Sequence, residues 1–594
     1  MKQFVFFFLG LIMFQSTKGQ YWQQAVEYTM EVALDHESAT YSGVQKIVYT
    51  NNSPETLNKV FYHLYFNAFK PGSEMAVRQK NSADKNTRFK VSIDSLTPKQ
   101  EGYLRVSGLT QNGVLLNPID SETILEVPLH ASIAPGESAI FELSFEGHVP
   151  DVIRRAGKNS REGIAFSMAQ WYPKIAEYDR EGWNADPYTG REFHGVWGNF
   201  DVKITLNKDF MVAASGYLQN AETIGKGYSD RKRAKTKKGK ITWHYIAPMV
   251  HDFTWAADVD YIHDTYPGPN DVDLHFFYKN DPEIIENWKK LQPHTAELME
   301  YYNSKIGQYP YKQYSVIQGG DGGMEYAMAT LITGKRKFGS LFGVTAHEMA
   351  HTWFQFLLAS NESLHPWMDE GFTTYISNKA ENEILKENKK NPHIDSYKGY
   401  RTIVTKGYEE TLSTHADRYD TNWGYGIASY SKGNIFLSQL EYVIGSENVA
   451  KGIKKYFHDF SFKHPTPNDI KRVMEKTSGV HLGWYLNEWT QTTHTIDYGV
   501  KAVNEQKITL ERIGKMPMPI DVYVIYADGS KGRFNIPLEM MRANKPTTAK
   551  ILKDWGWASP TYSFEVSKPV KSVIIDKKGL MADIYLENNF FEVK

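Results

Sequence analysis

Short runs in which apolar and polar residues alternate fill the chain from about residue 21 to residue 262. Phe141, Leu143 and Phe145, for example, are separated by single polar residues. Alternation of this kind is typical of strands that bury one face. The sequence therefore predicts a large N-terminal antiparallel β domain over residues 20–262.

Helical spacing of apolar positions replaces this alternation after the Pro/Gly-rich stretch 266–270 and one further strand. The segments of helical spacing and length lie near 282–304, 341–358, 370–387, 397–411, 430–444, 447–460 and 467–477. Strand-like alternation returns from about residue 497. We therefore expect a multidomain α+β protein, with an α-rich central domain that holds a small sheet (263–496) and a short C-terminal β-sandwich (497–594).

The first residues have the pattern of a secretory signal. Lys2 is followed by an apolar run from Phe4 to Phe14, and then by the small residues Thr17 and Gly19. This order predicts a signal peptide over residues 1–19, cleaved after Gly19. The apolar run is too short to span a bilayer, so the expected mature protein has no transmembrane segment and is exported to a periplasm or to the medium.

Composition narrows the chemistry that is possible. The 594 residues include no cysteine and carry a formal net charge of −1. A chain without cysteine has no disulfide, no thiolate metal ligand and no cysteine nucleophile, and its near-neutral charge gives no indication of a nucleic-acid partner. The basic run from Arg231 to Lys240 is interpreted as a solvated hairpin loop.

A metal-binding pattern lies in the segment Val344–Leu358, where His347-Glu348-Met349-Ala350-His351 occurs. Two histidines four residues apart lie on one face of a helix, so both imidazoles can reach a single ion. A catalytic zinc ion has three protein ligands and one open position, so the pattern requires a third ligand downstream. Glu370, at the start of the next predicted helix, supplies it. We expect one Zn²⁺ per chain.

Glu348 lies beside the first histidine and is the expected general base. A carboxylate at this position can take a proton from a zinc-activated water and pass it to the leaving amine. The alternative is that the two histidines are core residues and that Glu370 merely begins a helix.

The spacing of His347, His351 and Glu370, the last in the sequence Asp-Glu-Gly-Phe, resembles the gluzincin aminopeptidases, the family of aminopeptidase N and the leukotriene-A hydrolases. Two further stretches agree in order and approximate spacing. Gly322-Gly323-Met324-Glu325 is similar to the exopeptidase signature of that family, although Tyr326 stands where the family has Asn, and Ser429–Gly433 is similar to its catalytic-tyrosine segment.

The resemblance implies a thermolysin-like central domain and specific roles for Glu325 and Tyr430. Glu325, at the start of the extended segment Met324–Thr333, would bind the free α-ammonium of a peptide substrate, with Gly322, Gly323 and Met324 beside it. The Tyr430 hydroxyl would donate to the oxyanion. The expected function is zinc-dependent removal of N-terminal residues from peptides. The alternatives are a thermolysin-type endopeptidase and a zinc-containing peptide-binding protein without activity.

Overall fold

The computed structural model describes residues 21–86, 88–89, 91–225, 227–230 and 239–593. The predicted signal peptide and nearly all of the basic run lie outside these residues. Within the described part of the chain, no helix combines the length and apolarity that a membrane crossing requires.

The N-terminal region is mostly β-structure. Its strands and helices are β1 (Ala25–Asp35), β2 (Thr40–Thr50), β3 (Leu57–His63), α1 (Glu74–Asn81), β4 (Tyr103–Gln111), β5 (Val114–Leu115), β6 (Ile119–Ser121), β7 (Ile124–Ile133), β8 (Ser138–His148), β9 (Phe166–Met168), β10 (Lys174–Ile175), β11 (Tyr178–Asp179), β12 (Gly182–Trp183), β13 (Gly198–Asn207), β14 (Met211–Ala214), β15 (Tyr217–Leu218), α2 (Ala221–Ile224), β16 (Lys240–Val250) and β17 (Trp255–Asp258).

An eight-stranded sheet in the order β15-β16-β13-β1-β2-β8-β4-β5 dominates this region. Phe141, Leu143 and Phe145 of β8 are buried, and their polar neighbours are exposed, so the alternation identified the buried face correctly. One pairing differs from the antiparallel expectation, because β1 and β13 run parallel. These strands are far apart in sequence, so no hairpin imposes an antiparallel pairing on them.

The central region contains the longer helices of the described chain. Its elements are β18 (Tyr261–Pro267), β19 (Asp273–Lys279), α3 (Pro282–Lys305), β20 (Gln313–Gln318), β21 (Gly323–Tyr326), β22 (Ala329–Ile332), α4 (Phe338–His351), α5 (Pro366–Ile384), α6 (Ile394–Lys406), α7 (Asn422–Gly426), α8 (Gly433–Ile444), α9 (Ser446–Phe460), α10 (Pro467–Ser478) and α11 (Gly483–Gln491).

The central sheet has the order β18-β19-β20-β22-β21, so β21 lies at its edge. It begins at Tyr261, inside the predicted N-terminal domain, because β18 pairs with β19. The segment Met324–Thr333 is a hairpin and not the single extended strand that was predicted. The chain turns between β21 and β22 at Met328, which has a φ of 56°.

Two π-helical segments interrupt the regular helices. Thr352–Leu357 continues α4, and Ile427–Lys432 joins α7 to α8. Tyr430 therefore lies inside a helical run and not at the start of a helix. Glu370 lies in the second turn of α5, because Pro366 occupies the first position, where its missing N–H costs no hydrogen bond.

The C-terminal region consists of β23 (Tyr498–Asn504), β24 (Lys507–Arg512), β25 (Ile520–Tyr526), β26 (Lys531–Ile536), β27 (Lys550–Ile551), β28 (Thr561–Glu565), β29 (Val570–Ile575) and β30 (Phe590–Glu592). They form a three-stranded sheet, β23-β24-β28, and a five-stranded sheet, β27-β26-β25-β29-β30. The three regions together have the predicted multidomain α+β architecture.

Candidate active site and metal centre

His347 and His351 lie one turn apart on α4, with their Nε2 atoms 3.1 Å from each other. The opposite face of α4 is apolar and buried through Leu341 and Phe342. The hydroxyl of Tyr302 donates to the carbonyl of Ala346 over 2.7 Å, which fixes the helix against α3. Both imidazoles therefore project from a helix that is held on its other side.

Glu370 completes a group that we call the metal-ligand cluster (His347, His351 and Glu370). Its Oε2 atom lies 3.1 Å from Nε2 of His347 and 3.3 Å from Nε2 of His351. Ligand atoms about 2.0–2.1 Å from a tetrahedral zinc ion are about 3.3 Å apart, so the three atoms occupy three corners of such a site. Burial alone would raise the pKa of Glu370, but hydrogen bonds with the two imidazoles hold it well below its usual range.

The orientation of His351 is set by the residues around its other ring nitrogen. Nδ1 lies 2.5 Å from Oδ1 of Asp369 and 3.2 Å from Oγ1 of Thr373. A ligating histidine usually donates its second N–H to a carboxylate in this way, which directs the free nitrogen at the metal. The donor set, its spacing and this support all fit a zinc ion.

Tyr430 contacts the metal-ligand cluster directly, since its hydroxyl donates to Oε1 of Glu370. Its ring also stacks on His347, with centroids 5.7 Å apart. A close helix crossing permits this contact: a Cβ on Gly371 of α5 would lie 2.4 Å from Cα of Gly433 of α8. Two glycines at the crossing therefore bring the helices of Glu370 and Tyr430 together.

The Glu348 carboxylate lies beside Gly323, the first residue of β21. A Cβ on Gly323 would come within 2.2 Å of Oε1 of Glu348, so only glycine leaves room for this carboxylate. Burial raises the pKa of Glu348, and the charge of Glu325 raises it further. The side chain is therefore held close to the backbone of the edge strand, in a setting that strengthens it as a base.

The predicted substrate-binding residues lie along this edge. Gly322 has a φ of +45° with open space around it, and its carbonyl accepts from the N–H of Thr333 at 2.7 Å. Met324 is buried and pairs with β22. Glu325 is 4% exposed, and one of its oxygens lies within 4.8 Å of ligand atoms of Glu348 and His351. Burial raises its pKa to about 7.

Tyr326 ties this strand to the N-terminal region. Its hydroxyl donates to Oε1 of Gln170 over 2.6 Å, and the Gln170 amide donates to Asp252 over 2.9 Å. Sequence reasoning missed Gln170, because no local spacing marks a lone glutamine. The position where the family has Asn is thus occupied by a residue that anchors the edge strand across two regions.

Two further carboxylates near Glu325 were also missed. Glu192 lies on a loop of the N-terminal region and Glu362 on the loop between the π-helical segment 352–357 and α5. One oxygen from each lies within 4.8 Å of one from Glu325. We call Glu192, Glu325 and Glu362 the carboxylate cluster. Isolated glutamates carry no pattern in the sequence, so only the fold brings them to attention.

Comparison with known proteins adds to this geometry. Residues 293–489 match the model of the peptidase family M1 domain. The chain contains a peptidase family M1 domain. All three residues of the metal-ligand cluster and Tyr430 lie within the matched residues of this M1 domain, so the family resemblance drawn from the sequence is confirmed.

The chain is also similar in sequence to individual known proteins. The chain is 25% identical over 254 residues to probable aminopeptidase 2 of Sulfurisphaera tokodaii, covering 41% of this chain and 30% of that protein. It is 24% identical over 432 residues to tricorn protease-interacting factor F2 of Thermoplasma volcanium, covering 65% and 50%. The chain thus spans half or less of the length of these relatives.

Solved structures share the fold of this chain. An M1 zinc metallopeptidase from Deinococcus radiodurans matches with a TM-score of 0.53 and 15% identity, covering 77% of this chain and 91% of that one. A variant of that enzyme bound to a Tyr-Ser-Ala substrate matches with a TM-score of 0.53 and 15% identity, covering 79% and 94%. At this identity the likeness concerns the fold alone.

Proposed function

We propose that this protein is a zinc-dependent aminopeptidase that removes single residues from the N-termini of peptides. The proposal depends above all on the metal-ligand cluster, whose atoms lie 3.1–3.3 Å apart at the corners of a tetrahedral site inside an M1 domain. The aminopeptidase names of relatives and the peptide bound to the Deinococcus variant support peptides as substrates.

One zinc ion per chain would be held by His347, His351 and Glu370. When bound, zinc supplies a Lewis acid that lowers the pKa of a water molecule to about 7 and polarises a carbonyl group. His347 is the most exposed of the three ligands, with 21% of its side chain accessible, so the site is open to solvent on the side of His347.

Glu348 would transfer the proton, and Tyr430 would stabilise the negative charge that develops on the substrate oxygen. Glu348 takes a proton from the attacking water and delivers it to the amine that leaves, which a carboxylate of raised pKa does well. The Tyr430 hydroxyl, held at Glu370, donates to the oxyanion of the tetrahedral intermediate. Burial keeps the pKa of Tyr430 well above its ordinary value, so the hydroxyl stays protonated as a donor.

Glu325 would restrict the enzyme to N-terminal residues. The α-nitrogen and the carbonyl carbon of one residue are about 2.5 Å apart. An ammonium group bound at Glu325, close to Glu348 and His351, therefore brings the first peptide bond to the base. The outer edge of β21 can in addition pair with the backbone of an extended peptide.

The proposal also includes export of the protein. A secretory signal over residues 1–19 would carry the enzyme out of the cytoplasm, so its substrates would be peptides in a periplasm or in the medium. The proposed chemistry lies in the central region, predicted over residues 263–496, whose sheet begins at Tyr261.

The proposal is tested with matched aminoacyl fluorogenic peptides that have either a free or an N-acetylated amine. We expect cleavage of the free-amine peptides only, loss of activity with a zinc chelator and recovery with about one equivalent of zinc. Equal cleavage of both series would instead favour a thermolysin-type endopeptidase. Binding without turnover would indicate a peptide-binding protein.

A further inference from the structure

A loop of the N-terminal region, just after α1, contacts the start of the helical run that carries Tyr430. The backbone N–H groups of Asn422 and Trp423 donate to the two oxygens of the Asp84 carboxylate over 2.7 and 2.9 Å. The side-chain amide of Asn422 donates to the same carboxylate over 3.0 Å. The first two residues of α7 are therefore bound by one acidic side chain from another region of the molecule.

Asp84 supplies acceptors at the end of α7 where they are needed. The first N–H groups of a helix have no partner within it, and the positive end of the helix favours an acidic group. The N-cap side chain, Thr421, accepts from the N–H of Gly424 over 2.8 Å, and the two preceding N–H groups donate to Asp84. Burial alone would raise the pKa of Asp84, but hydrogen bonds from Asn422 and Trp423 hold it below its ordinary value. The ionised carboxylate therefore completes the cap.

Continuous helix connects this cap to Tyr430. α7 leads into the π-helical segment Ile427–Lys432 and then into α8, and the residues at both junctions have helical backbone angles. Successive residues of an α-helix are about 100° apart around its axis. If the winding began one residue earlier or later, the Tyr430 side chain would turn by about that angle, away from Glu370. The start of the run therefore sets where the hydroxyl points.

The other end of the π-helical segment is fixed within the central region. The buried Nζ atom of Lys432 lies 2.5 Å from Oε1 of Glu409, and Gly433 packs closely against Gly371. A π-helix is rare and occurs mostly as a single turn inside an α-helix. Holding both ends of such a turn keeps its additional residue in place. Asp84 holds the end that faces the N-terminal region.

We infer that Asp84 is a positioning residue for Tyr430. By capping α7 from the N-terminal region, it keeps the tyrosine hydroxyl directed at the place where the oxyanion forms. The inference rests on the proposed function, in which Tyr430 is the oxyanion donor. Because Asp84 acts through the helix, its loss should change the rate of the reaction and not the binding of peptides.

The test is a double-mutant cycle that combines Asp84→Ala with Tyr430→Phe in the zinc-loaded full chain, with a free-amine aminoacyl fluorogenic peptide as substrate. We expect Asp84→Ala alone to lower kcat about fivefold to twentyfold with little change in KM, because the hydroxyl is no longer held in place. In the Tyr430→Phe background the same change should alter kcat by less than about twofold, since no hydroxyl is left to position.

Asp281→Ala is the matched control. Asp281 also caps a helix, α3, and its carboxylate accepts from the N–H of Glu283 over 3.0 Å. Both alanine variants lose an N-cap, so both should lower the melting temperature to a similar extent. Only Asp84→Ala should lower kcat, and metal analysis should find the zinc content of the wild type in each protein.

Arg88 offers a second route from the same loop to the site, and it has to be separated from the cap. Burial raises the pKa of Tyr430 well above its ordinary value, and the positive charge of Arg88 lowers it. We expect the loss of kcat caused by Asp84→Ala to be the same in an Arg88→Gln background. If Arg88→Gln abolishes that loss, Asp84 acts through the Arg88 charge, and the inference is overturned.

The remaining outcomes separate the inference from the proposed function. Additive losses in Asp84→Ala and Tyr430→Phe, or an unchanged kcat in Asp84→Ala, would overturn the inference and leave the role of Tyr430 intact. An unchanged kcat in Tyr430→Phe would instead refute the proposed oxyanion donor, and the inference with it. If Asp84→Ala does not fold, Asp84→Asn, whose amide oxygen still accepts one N–H, takes its place, with an expected loss of about twofold to fivefold that again disappears with Tyr430→Phe.

Discussion

The metal-ligand cluster and the carboxylate cluster are neighbours, but they are assembled in opposite ways. The first takes its atoms from α4 and α5, which follow one another in the chain, and His347 and Glu370 are 23 residues apart. The second combines a loop of the N-terminal region, the edge strand β21 and the loop before α5. The metal-ligand cluster thus depends on local spacing, whereas the carboxylate cluster depends on how two regions pack.

Under the proposed function, changes at the metal-ligand cluster and at the groups beside it abolish the reaction. Under the same proposal, changes at Glu325 alter which peptides bind. Variants beside the metal-ligand cluster, and one outside both clusters, test the first part of this comparison.

The largest effect is expected for Glu348→Gln. The amide cannot take the proton from water, so kcat should fall by roughly 10³- to 10⁴-fold, while zinc content and the affinity for free-amine ligands stay as in the wild type. Stopped-flow kinetics and metal analysis measure these quantities. Turnover near that of the wild type would contradict the assignment of the base.

Tyr430→Phe should have the next largest effect. The ring can still stack on His347, so the metal site is retained, but the oxyanion loses its donor. We expect kcat to fall by about 10²- to 10³-fold with little change in KM. A raised KM with unchanged kcat would mean that the hydroxyl binds substrate and does not act on the transition state.

Gly433→Ala tests the helix crossing that joins the two groups. A Cβ there would lie 2.6 Å from the Trp367 carbonyl oxygen and 2.8 Å from Cα of Gly371, so α5 and α8 must separate. Because Tyr430 then moves relative to Glu370, kcat should fall by about tenfold to a hundredfold. The free energy of unfolding should fall by about 1–3 kcal/mol.

Gly426→Ala is the control on the same helical run. A Cβ at Gly426 meets nothing within 4 Å, so the change should be neutral, or stabilising by about 0.5–1 kcal/mol through helix propensity. Equal kinetic effects of the two variants would show that the glycine contact does not set the geometry.

Sequence patterns revealed the two clusters to different extents. His347, His351 and Glu370 follow a fixed spacing on consecutive helices, and that spacing is visible in the chain alone. Glu192 and Glu362 are single glutamates without periodic neighbours, and only the fold brings them together, where the loops meet. Long-range packing of this kind leaves no local pattern.

Errors in the predicted elements have equally physical causes. The predicted helix begins at residue 370, later than α5 does in the structure. Proline usually breaks a helix, but Pro366 is well tolerated in the first turn of α5. The sequence predicts one strand where β21 and β22 form a hairpin, because the turn residues Ala327 and Met328 are neither Gly nor Asn, the residues that usually mark a turn. The broad α+β division followed correctly from the two periodicities.

Asp576→Asn should have the smallest effect, and only on stability. Burial raises the pKa of Asp576 to about 7, from an ordinary value near 3.8. The folded state therefore binds this proton more tightly, so the group's contribution to stability is complete below about pH 4 and is lost as pH rises through 7. Removing the carboxylate should stabilise the protein by roughly 1–2 kcal/mol more at pH 8 than at pH 5.

Urea unfolding of the wild type and of this variant at the two pH values measures the difference, and kcat/KM should be unchanged. An unchanged kcat/KM would show that Asp576, which lies away from both clusters, has no part in catalysis. The same stabilisation at both pH values would contradict this account of Asp576.

The π-helical segment Ile427–Lys432 has a consequence for how chains of this kind are compared. A π turn contains more residues than an α turn of similar rise, so the run from Asn422 to Ile444 is longer than its span requires. Tyr430 reaches Glu370 with that additional length in place. A homologue one residue shorter here should therefore be aligned with its gap inside residues 427–432, since a gap in the flanking loop would assign the wrong residue to the tyrosine position.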